Sequence, residues 1–200
     1  MTSGSARLNV VAIAAECSPY ASAGGISAVV PELARAMQGL SVRHGGPVAV
    51  RVIIPRYTRG GAGRLCYKDF ERWGTLPVSS AAWGERPAEV YRLREGEVEV
   101  FALGYGAVVR RDADLYEAVP DAAAGPVSFA EQVRARRTAA KFGFFCAAAV
   151  RLLQHWSEDE GWPPHVVHLH DWPAGLVAAL LEPDHAPTGW WPCWDGVRMW

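Results

Sequence analysis

The chain lacks an excess of charge of either sign. Its 20 Lys and Arg residues stand against 21 Asp and Glu residues, which gives a formal net charge of −1 over 200 residues. Proteins that bind nucleic acids or anionic membranes usually carry clustered positive charge, so this balance argues against both. The chain also has no apolar run near the ~20 residues that span a membrane as a helix. We therefore expect no nucleic acid and no membrane among its partners.

Cysteine is scarce, and its spacing argues against two kinds of site. The four cysteines form no CxxC pair and lie far apart, at Cys17, Cys66, Cys146 and Cys193. Zinc sites and disulfide frameworks have closer, repeated spacings. We expect free, buried thiols in a reducing compartment, which predicts a cytoplasmic protein.

The start of the chain leaves two interpretations. Arg7 followed by the apolar stretch LNVVAIAAEC is similar to a short signal peptide. However, Glu16 occupies the place where a small residue should precede cleavage. A first buried strand over residues 8–15 is therefore the favoured interpretation.

Half of the residues are hydrophobic, which is enough to bury a core. Residues 8–15 and 48–54 are almost continuously apolar, as is typical of strands buried on both faces of a parallel sheet. Between them, after Gly24-Gly25, apolar residues recur at helical spacing: Ile26, Val29, Val30, Leu33 and Met37. Pro31 is expected in the first turn of that helix, where its missing N–H matters least.

The rest of the chain continues to alternate strands and helices. Residues 88–93 and 98–103 predict two strands joined by a turn at residues 95–97. A long helix is predicted from residue 129 to about 155, with an apolar stripe of Phe145, Ala148, Ala149, Leu152, Leu153 and Trp156. Residues 112–127 are rich in Asp, Pro and Gly and are expected to be irregular.

A late strand and helix complete the alternation. The sequence HVVHLH predicts another buried strand, and Asp171 is expected to cap a helix over residues 174–181. Alternating strands and helices predict an α/β fold with an open, mostly parallel sheet. Ligands bind such sheets beyond the carboxyl ends of the strands, which places residues 16–25 and 170–172 at one functional edge.

The first of these loops contains Gly24-Gly25 between a strand and a helix. Backbone N–H groups in such a loop can approach an anion at the positive end of the helix. The spacing is neither GxGxxG nor a P-loop, because no GK[ST] follows. A tight turn that needs glycine only for its backbone geometry stays open as the alternative.

The second loop follows the sequence HLHDW. His168 and His170 fall on one face of the strand, and His170 lies at its end. A neutral imidazole there can bind a sugar hydroxyl or stabilise developing charge. A metal site is the alternative, but no third ligand is evident nearby. We interpret His168 as a core residue, Asp171 as a helix cap and His170 as the functional residue.

These two loops together resemble the N-terminal catalytic domain of bacterial glycogen synthases and plant starch synthases. Residues 16–29, ECSPYASAGGISAV, align without a gap with the family pattern E-V-x-P-F-x-K-T-G-G-L-x-D-V. Residues 164–181, PHVVHLHDWPAGLVAALL, are very similar to the family's PDVVHAHDWHxxLxPxYL. Shorter likenesses occur at VIIPRY, at residues 112–116 and at Lys141-Phe142. The resemblance covers roughly residues 8–181.

The resemblance implies a fold and a reaction. The fold is an open, mostly parallel, Rossmann-like sheet that forms the N-terminal half of a two-domain GT-B glycosyltransferase. The reaction transfers glucose from ADP-glucose, the donor substrate, to the non-reducing end of an α-1,4-glucan with retention of configuration. No metal and no other cofactor is implied, and the implied partners are a nucleotide sugar and an α-glucan.

The resemblance also implies the residues of the site. His170 is the expected catalytic residue, through a contact with the transferred sugar. Ser22, Gly24, Gly25 and Asp171 are the expected substrate-binding residues for ADP-glucose and glucan. The backbone of the two glycines would face the diphosphate or the acceptor, and Ser22 is a weak replacement for a family lysine.

Several family side chains are missing from this chain. Ser22 stands where the family has Lys, and Ala28 stands where it has an acid after the glycines. Arg137 and Thr138 stand where the family has Asp and Asn in the pattern D-N-x-x-R-F. We expect these losses to lower the transfer rate by orders of magnitude, because single donors at such sites are worth roughly 10²–10³.

The domain expectation follows the resemblance. Residues 1–182 are expected to form the N-terminal catalytic domain, and the C-terminal nucleotide-binding domain is expected to be absent from this chain. Residues 183–200 hold four tryptophans without periodicity and are expected to be a truncated or frame-shifted tail. The alternative is a native aromatic tail that packs on a partner.

Two other functions compete with transfer. A catalytically degenerate or truncated paralogue would bind glucan or a partner without turnover, and the altered positions Ser22, Ala28 and Arg137 favour it. A dinucleotide-binding oxidoreductase would need GxGxxG and an acid after the second strand. Pro55-Arg56 stands there instead. For the chain alone we expect no turnover.

Overall fold

The structure is a computed structural model, and it describes residues 7–40, 46–57, 64–65, 67–80, 83–96, 98–104, 128–182 and 198–199. Its strands are β1 (Leu8–Ala14), β2 (Ala21–Ser22), β3 (Val48–Pro55), β4 (Arg64–Leu65), β5 (Glu71–Ser80), β6 (Gly84–Glu95), β7 (Val98–Gly104), β8 (Val166–His170) and β9 (Arg198–Met199). Its helices are α1 (Ile26–Gly39), α2 (Phe129–Glu158) and α3 (Leu176–Leu181), and a 3₁₀ turn covers Trp172–Ala174.

The main sheet has the order β5-β6-β7-β3-β1-β8-β9. Strand β1 pairs in parallel with both β3 and β8, and β3 pairs in parallel with β7. Among the described strands of this sheet, β6 alone runs in the opposite direction, and it pairs antiparallel with both β5 and β7. The prediction of an α/β fold with an open, mostly parallel sheet is therefore confirmed.

Alternation along β1 divides the core between two helical layers. Val11 and Ile13 point to the side that α2 covers, and Val10, Ala12 and Ala14 point to the side that α1 covers. Successive side chains of a strand point to opposite faces, so a strand with helices on both sides must be apolar throughout. This explains why the first apolar run has no polar alternation.

The long helix α2 begins at a capping box. The Ser128 hydroxyl accepts from the Glu131 N–H, and the Glu131 carboxylate accepts from the Ser128 N–H. All six residues of the predicted apolar stripe are buried. The helix ends at Glu158, three residues beyond the predicted end near His155.

Strand β5 was not predicted from the sequence. It contains Gly74 and Pro77, which normally mark turns rather than strands. The strand lies at the edge of the sheet, where proline is tolerated because the outward N–H groups have no strand to pair with, and its pairing with β6 is irregular between Arg72 and Gly74. The two strands predicted beside it, now β6 and β7, form a hairpin as expected.

Pro31 lies deeper in α1 than predicted. The helix begins at Ile26, directly after the two glycines, so Pro31 is in the second turn rather than the first. Proline has no N–H to donate to the carbonyl four residues earlier, which belongs to Ser27. That carbonyl accepts instead from the Ser18 N–H, at 2.7 Å. A hydrogen bond from the preceding loop thus replaces the one that the helix cannot make.

The helix predicted over residues 174–181 is also shorter than expected. The chain first makes the 3₁₀ turn Trp172–Ala174, and α3 begins only at Leu176. Asp171 therefore caps the 3₁₀ turn and not an α-helix, through its side chain and the Trp172 N–H.

The structure tests the predictions on the cysteines, the irregular segment and the tail only in part, because several of these residues lie outside the described ones. Cys17 and Cys146 are free and buried, and burial raises the pKa of each thiol to about 12. Cys66, Cys193 and residues 112–127 lie outside the described residues, as does the tail except for β9, which pairs with β8. The domain division with its truncated tail stays a prediction. No helix in the described part of the chain is long and apolar enough to cross a membrane.

A buried ion cluster joins the sheet to the end of α2. The guanidinium of Arg51 donates to Glu99 and to Glu160, each at 3.0 Å. It also lies over the rings of Trp156 and Trp162, at 4.5 and 4.2 Å from their centroids. Removing this cation takes a partner from two partly buried carboxylates, of which Glu99 keeps a hydrogen bond from the more exposed Arg94.

We expect Arg51→Met to lower the free energy of unfolding by about 3 kcal/mol, because it breaks a buried ion cluster. Arg35→Met is the matched control, since Arg35 pairs with Glu95 at 3.0 Å on the exposed surface, and such pairs contribute less than about 1 kcal/mol. Urea unfolding of both variants measures the two losses. Equal losses would contradict this assignment of the Arg51 cluster.

Candidate active site

The carboxyl ends of β1 and β8 lie side by side. Ala14 is the register partner of His170 in the parallel pairing of the two strands. The loop after β1, residues 15–25, and the segment after β8, residues 171–175, therefore start from neighbouring positions. The two segments that were predicted to share one edge do share it.

A buried carboxylate holds the loop after β1 in place. Glu16 is 1% exposed, and its Oε2 atom accepts from the Ala23 N–H at 2.5 Å and from the Gly24 N–H at 2.7 Å. The amide of Gly24, expected to face a diphosphate, thus already binds an anion from the protein itself. Sequence reasoning missed this role of Glu16, although an acid between an apolar strand and two glycines was a visible signal.

The same loop is tied to the hairpin of β6 and β7. The Tyr20 hydroxyl donates to Glu95 at 2.6 Å, and Glu95 also pairs with Arg35 of α1. Burial raises the pKa of Tyr20, and the hydrogen bond to Glu95 adds to that rise. The hydrogen bond from Tyr20 and the bond from Arg35 lower the pKa of Glu95. Loop, helix and hairpin are thereby joined through one carboxylate.

Two histidines share one face of β8, as the sequence predicted. The ring centroids of His168 and His170 are 4.2 Å apart. His170 is 6% exposed, and its Nε2 atom has no hydrogen-bond partner among the described residues. Burial, together with the neighbouring His168, lowers the pKa of His170 to about 4. His170 is therefore neutral at neutral pH and offers a ring nitrogen that its surroundings leave unused.

Asp171 has an uncommon backbone conformation. Its φ of 64° and ψ of 171° lie in a region that is essentially restricted to glycine. Its side chain is exposed at the edge of the sheet and accepts from the Trp172 N–H at 2.7 Å. That hydrogen bond compensates part of the strain, which is of order 1–3 kcal/mol for such a residue.

Aromatic side chains line the α2 side of the same edge. The Tyr57 hydroxyl donates to the carbonyl of Ala15 at 2.9 Å, directly after β1. The Lys141 ammonium lies 5.7 Å from the Tyr57 ring and 4.8 Å from the Phe142 ring. The rings of Phe142 and Trp172 are 5.1 Å apart. Sequence reasoning placed Trp172 at this edge, within residues 170–172, but it gave no binding or catalytic role to any of these side chains.

The described residues offer no clear metal site. No group of three or more His, Cys, Asp or Glu side chains there is arranged to hold a metal ion. The expectation of a site without metal or cofactor stays a prediction.

Comparison with known proteins decides the family. A family model described as the starch synthase catalytic domain matches residues 9–190. The chain belongs to this family. Members of the family among the curated proteins are similar over most of this chain. A glycogen synthase of Oceanobacillus iheyensis is 28% identical over 174 residues, which are 87% of this chain and 30% of that protein.

Plant starch synthases are similar as well. Starch synthase 3 of Arabidopsis thaliana is 26% identical over 182 residues, 91% of this chain and 14% of that protein. The solved catalytic domain of starch synthase IV from Arabidopsis thaliana, bound to ADP and acarbose, matches with a TM-score of 0.66 and 22% identity. That match covers 97% of this chain and 33% of the solved chain, and it shows the GT-B type of fold. The chain thus spans about a third or less of the length of these relatives.

The structure also places the positions that differ from the starch synthase pattern. Ser22 is half-buried in β2, which pairs with β4, and Ala28 is exposed near the start of α1. Arg137 is exposed on α2. Thr138 is buried, and its hydroxyl has no hydrogen-bond partner among the residues that the structure describes. Gly25 is exposed at the beginning of α1, where no side chain caps the helix.

The lowered pKa of His170 predicts a loss of stability in mild acid. The unfolded chain takes up a proton on this histidine near pH 6.5, whereas the folded chain does so only near pH 4. The free energy of unfolding should therefore fall as the pH drops from 6.5 towards 4. In His170→Gln this part of the pH dependence should be absent, which urea unfolding at several pH values measures. His168→Gln should weaken it only in part, since burial is the main cause. A wild-type slope in His170→Gln would contradict the assignment.

The backbone of Asp171 predicts an unusual order of stabilities. Asp171→Gly loses the cap but gains a residue suited to this φ and ψ, whereas Asp171→Ala loses the cap and keeps the strain. We expect the glycine variant to be more stable than the alanine variant by roughly 1–2 kcal/mol. Thermal or urea unfolding compares the two. The opposite order, normal for an ordinary position, would refute the strained conformation.

Proposed function

We propose that this chain forms the N-terminal domain of a glucosyltransferase that moves glucose from ADP-glucose to the non-reducing end of an α-1,4-glucan with retention. The observation that carries the proposal is the pairing of Ala14 with His170, which unites the two segments of the starch synthase pattern at one sheet edge. The reaction would use the nucleotide sugar and the glucan, and no metal or further cofactor.

In this proposal His170 contacts a hydroxyl group of the transferred glucose. Its buried Nε2 atom lacks a protein partner, and an unsatisfied buried polar atom gains most from a ligand hydrogen bond. Because its pKa is about 4, the imidazole acts as a neutral hydrogen-bonding group and not as a cation. Positive charge for the departing diphosphate must come from elsewhere.

Fewer groups are available for the remaining substrate contacts than the family resemblance implied. The Gly24 N–H already donates to Glu16. The N–H groups of Gly25 and of the uncapped start of α1 are therefore the better candidates for binding the diphosphate. Ser22 can offer a hydroxyl but no charge. The exposed carboxylate of Asp171 uses one oxygen on its own turn, and the other can accept from a sugar hydroxyl.

A second function follows from the altered charges. Ser22, Ala28 and Arg137 replace side chains that the family pattern uses at this edge. Each lost electrostatic contact at a transfer site costs roughly 10²–10³ in rate. The same edge without those charges would still bind glucan, or a partner synthase, without turnover.

Restoring the three charges separates these functions. The test protein joins this chain to the remaining C-terminal part of the Oceanobacillus iheyensis glycogen synthase, and incorporation of labelled glucose from ADP-glucose into glycogen is measured. We expect the triple variant Ser22→Lys, Ala28→Asp, Arg137→Asp to be at least ~10²-fold faster than the unaltered fusion. The control carries three exposed substitutions with the same charge changes on β5, α1 and β6 instead: Ser79→Lys, Ala36→Asp and Arg86→Asp.

We expect the 200-residue chain alone to incorporate no labelled glucose into glycogen. Measurable incorporation by that chain would contradict this expectation. A triple variant that binds glycogen but transfers nothing would contradict the transferase proposal and support glucan binding without turnover.

A further inference from the structure

A cavity of about 470 Å³ lies at the amino ends of the parallel strands, at the edge of the sheet opposite the candidate active site. Its wall contains Arg7 directly before β1, Ala49 near the start of β3, and Glu99 near the start of β7. Arg94 and Gly96, from the turn between β6 and β7, complete one side. Pockets for small molecules usually measure roughly 300–1,000 Å³, so the size of this cavity suits such a ligand.

Positive charge is concentrated around the carboxylate in this wall. Glu99 accepts from the Nε atoms of Arg51 and Arg94, each at 3.0 Å, and lies 4.0 Å from a terminal nitrogen of Arg92. Arg51 is buried, and it also donates to Glu160. Three guanidinium groups therefore share two carboxylates, which leaves an excess of positive charge beside the cavity.

Two arginines in the wall have donors to offer a ligand. Arg94 uses its Nε atom on Glu99, and its terminal nitrogens make no hydrogen bond to the residues that the structure describes. Arg7 is exposed and forms neither an ion pair nor a hydrogen bond within the same part of the chain. The planar fork of a guanidinium group matches two oxygens of a phosphate, which makes arginine the preferred residue for such contacts.

Both arginines are carried by backbone that is fixed on each side of the cavity. The N–H of Leu8, which follows Arg7, donates to the Pro47 carbonyl at 2.9 Å. Arg94 belongs to the hairpin, and the next residue, Glu95, binds the loop after β1 and also α1. A ligand held by the two side chains would thus join segments whose backbones are already in place.

The hairpin turn leaves open space beside Arg94. Gly96 has a φ of 62°, a left-handed conformation that favours glycine. A Cβ atom at this position would meet no other atom within 4 Å. The turn therefore does not close the cavity at this side.

We propose that this cavity binds the phosphate group of a small phosphorylated metabolite through the guanidinium groups of Arg7 and Arg94. The site is separate from the edge of the sheet where transfer is proposed, and the inference does not rest on the proposed function.

The chemistry of the wall favours a phosphate over other small ligands. A sugar without charge would find no ring to stack on, because none of the described residues in the wall is aromatic. A metal ion would be repelled by the arginines. Glu99 would repel an anion if it were alone, but Arg51 and Arg94 already neutralise it. Its carboxylate then serves to orient the guanidinium group of Arg94.

A two-dimensional amide NMR titration of the 200-residue chain with inorganic phosphate, at constant ionic strength, tests the site. We expect a Kd of about 1 mM, with the largest shifts at Arg94 and Gly96. Arg7→Gln and Arg94→Gln should each raise the Kd at least ~5-fold, because each removes a charged donor. Arg7→Lys should keep part of the affinity, since it keeps the charge without the fork. The matched control is Arg86→Gln, an exposed arginine on the same strand as Arg94, which should bind like the wild type.

Four results would overturn the inference. Sodium chloride of equal ionic strength could produce the same shifts, or phosphate could produce none at ten times the expected Kd. Both wall variants could bind phosphate like the wild type, which would place it elsewhere, for example at the start of α1. Arg86→Gln could lose as much affinity as they do, which would show unspecific charge attraction.

Two further comparisons complete the test. Methyl phosphate should bind about as tightly as inorganic phosphate, because a monoester keeps three oxygens for the arginines. Binding of inorganic phosphate alone would contradict the assignment to a phosphorylated metabolite. The dispersion of each variant's amide spectrum shows that a loss of affinity occurs in a folded chain, and Arg7→Gln removes no hydrogen bond or ion pair among the described residues.

Discussion

The hydrogen bonding of β1 with β8 is the constraint on which the rest of this molecule depends. Strand β1 is covered on both faces, so a shift of one residue would exchange its two sets of apolar side chains between the α1 and α2 layers. The register that avoids this exchange places Ala14 beside His170. Two segments separated by about 150 residues therefore leave the sheet at the same level, and the geometry of the site follows from the packing of the core.

The loop after β1 is ordered by the protein's own carboxylate. Glycine-rich loops that bind phosphate present free amides, and a bound anion then helps to order them. Here Glu16 is that anion for Ala23 and Gly24, and it is buried where solvent does not compete. The loop is consequently held in this conformation by groups of the protein itself.

Sequence reasoning succeeded where a feature depends on residues close together in the chain, and it failed where the feature depends on contacts between distant residues. Apolar runs and the HxH spacing predicted β1, β3, β8 and the shared face of His168 and His170, because these patterns depend on local periodicity. The edge strand β5 was missed, since only its place in the sheet makes Gly74 and Pro77 acceptable. The φ of Asp171 was also missed, because tertiary contacts impose it against local preference.

Pro31 of α1 is the reason that the loop before the helix is hydrogen-bonded to the helix itself. Because Pro31 leaves the Ser27 carbonyl without its helical donor, the Ser18 N–H enters the hydrogen-bond ladder of the helix from outside. The loop is thereby continuous with the helix in the way that one helical turn is continuous with the next. Any displacement of Ser18 must therefore either break that hydrogen bond or shift the first turns of α1 with it.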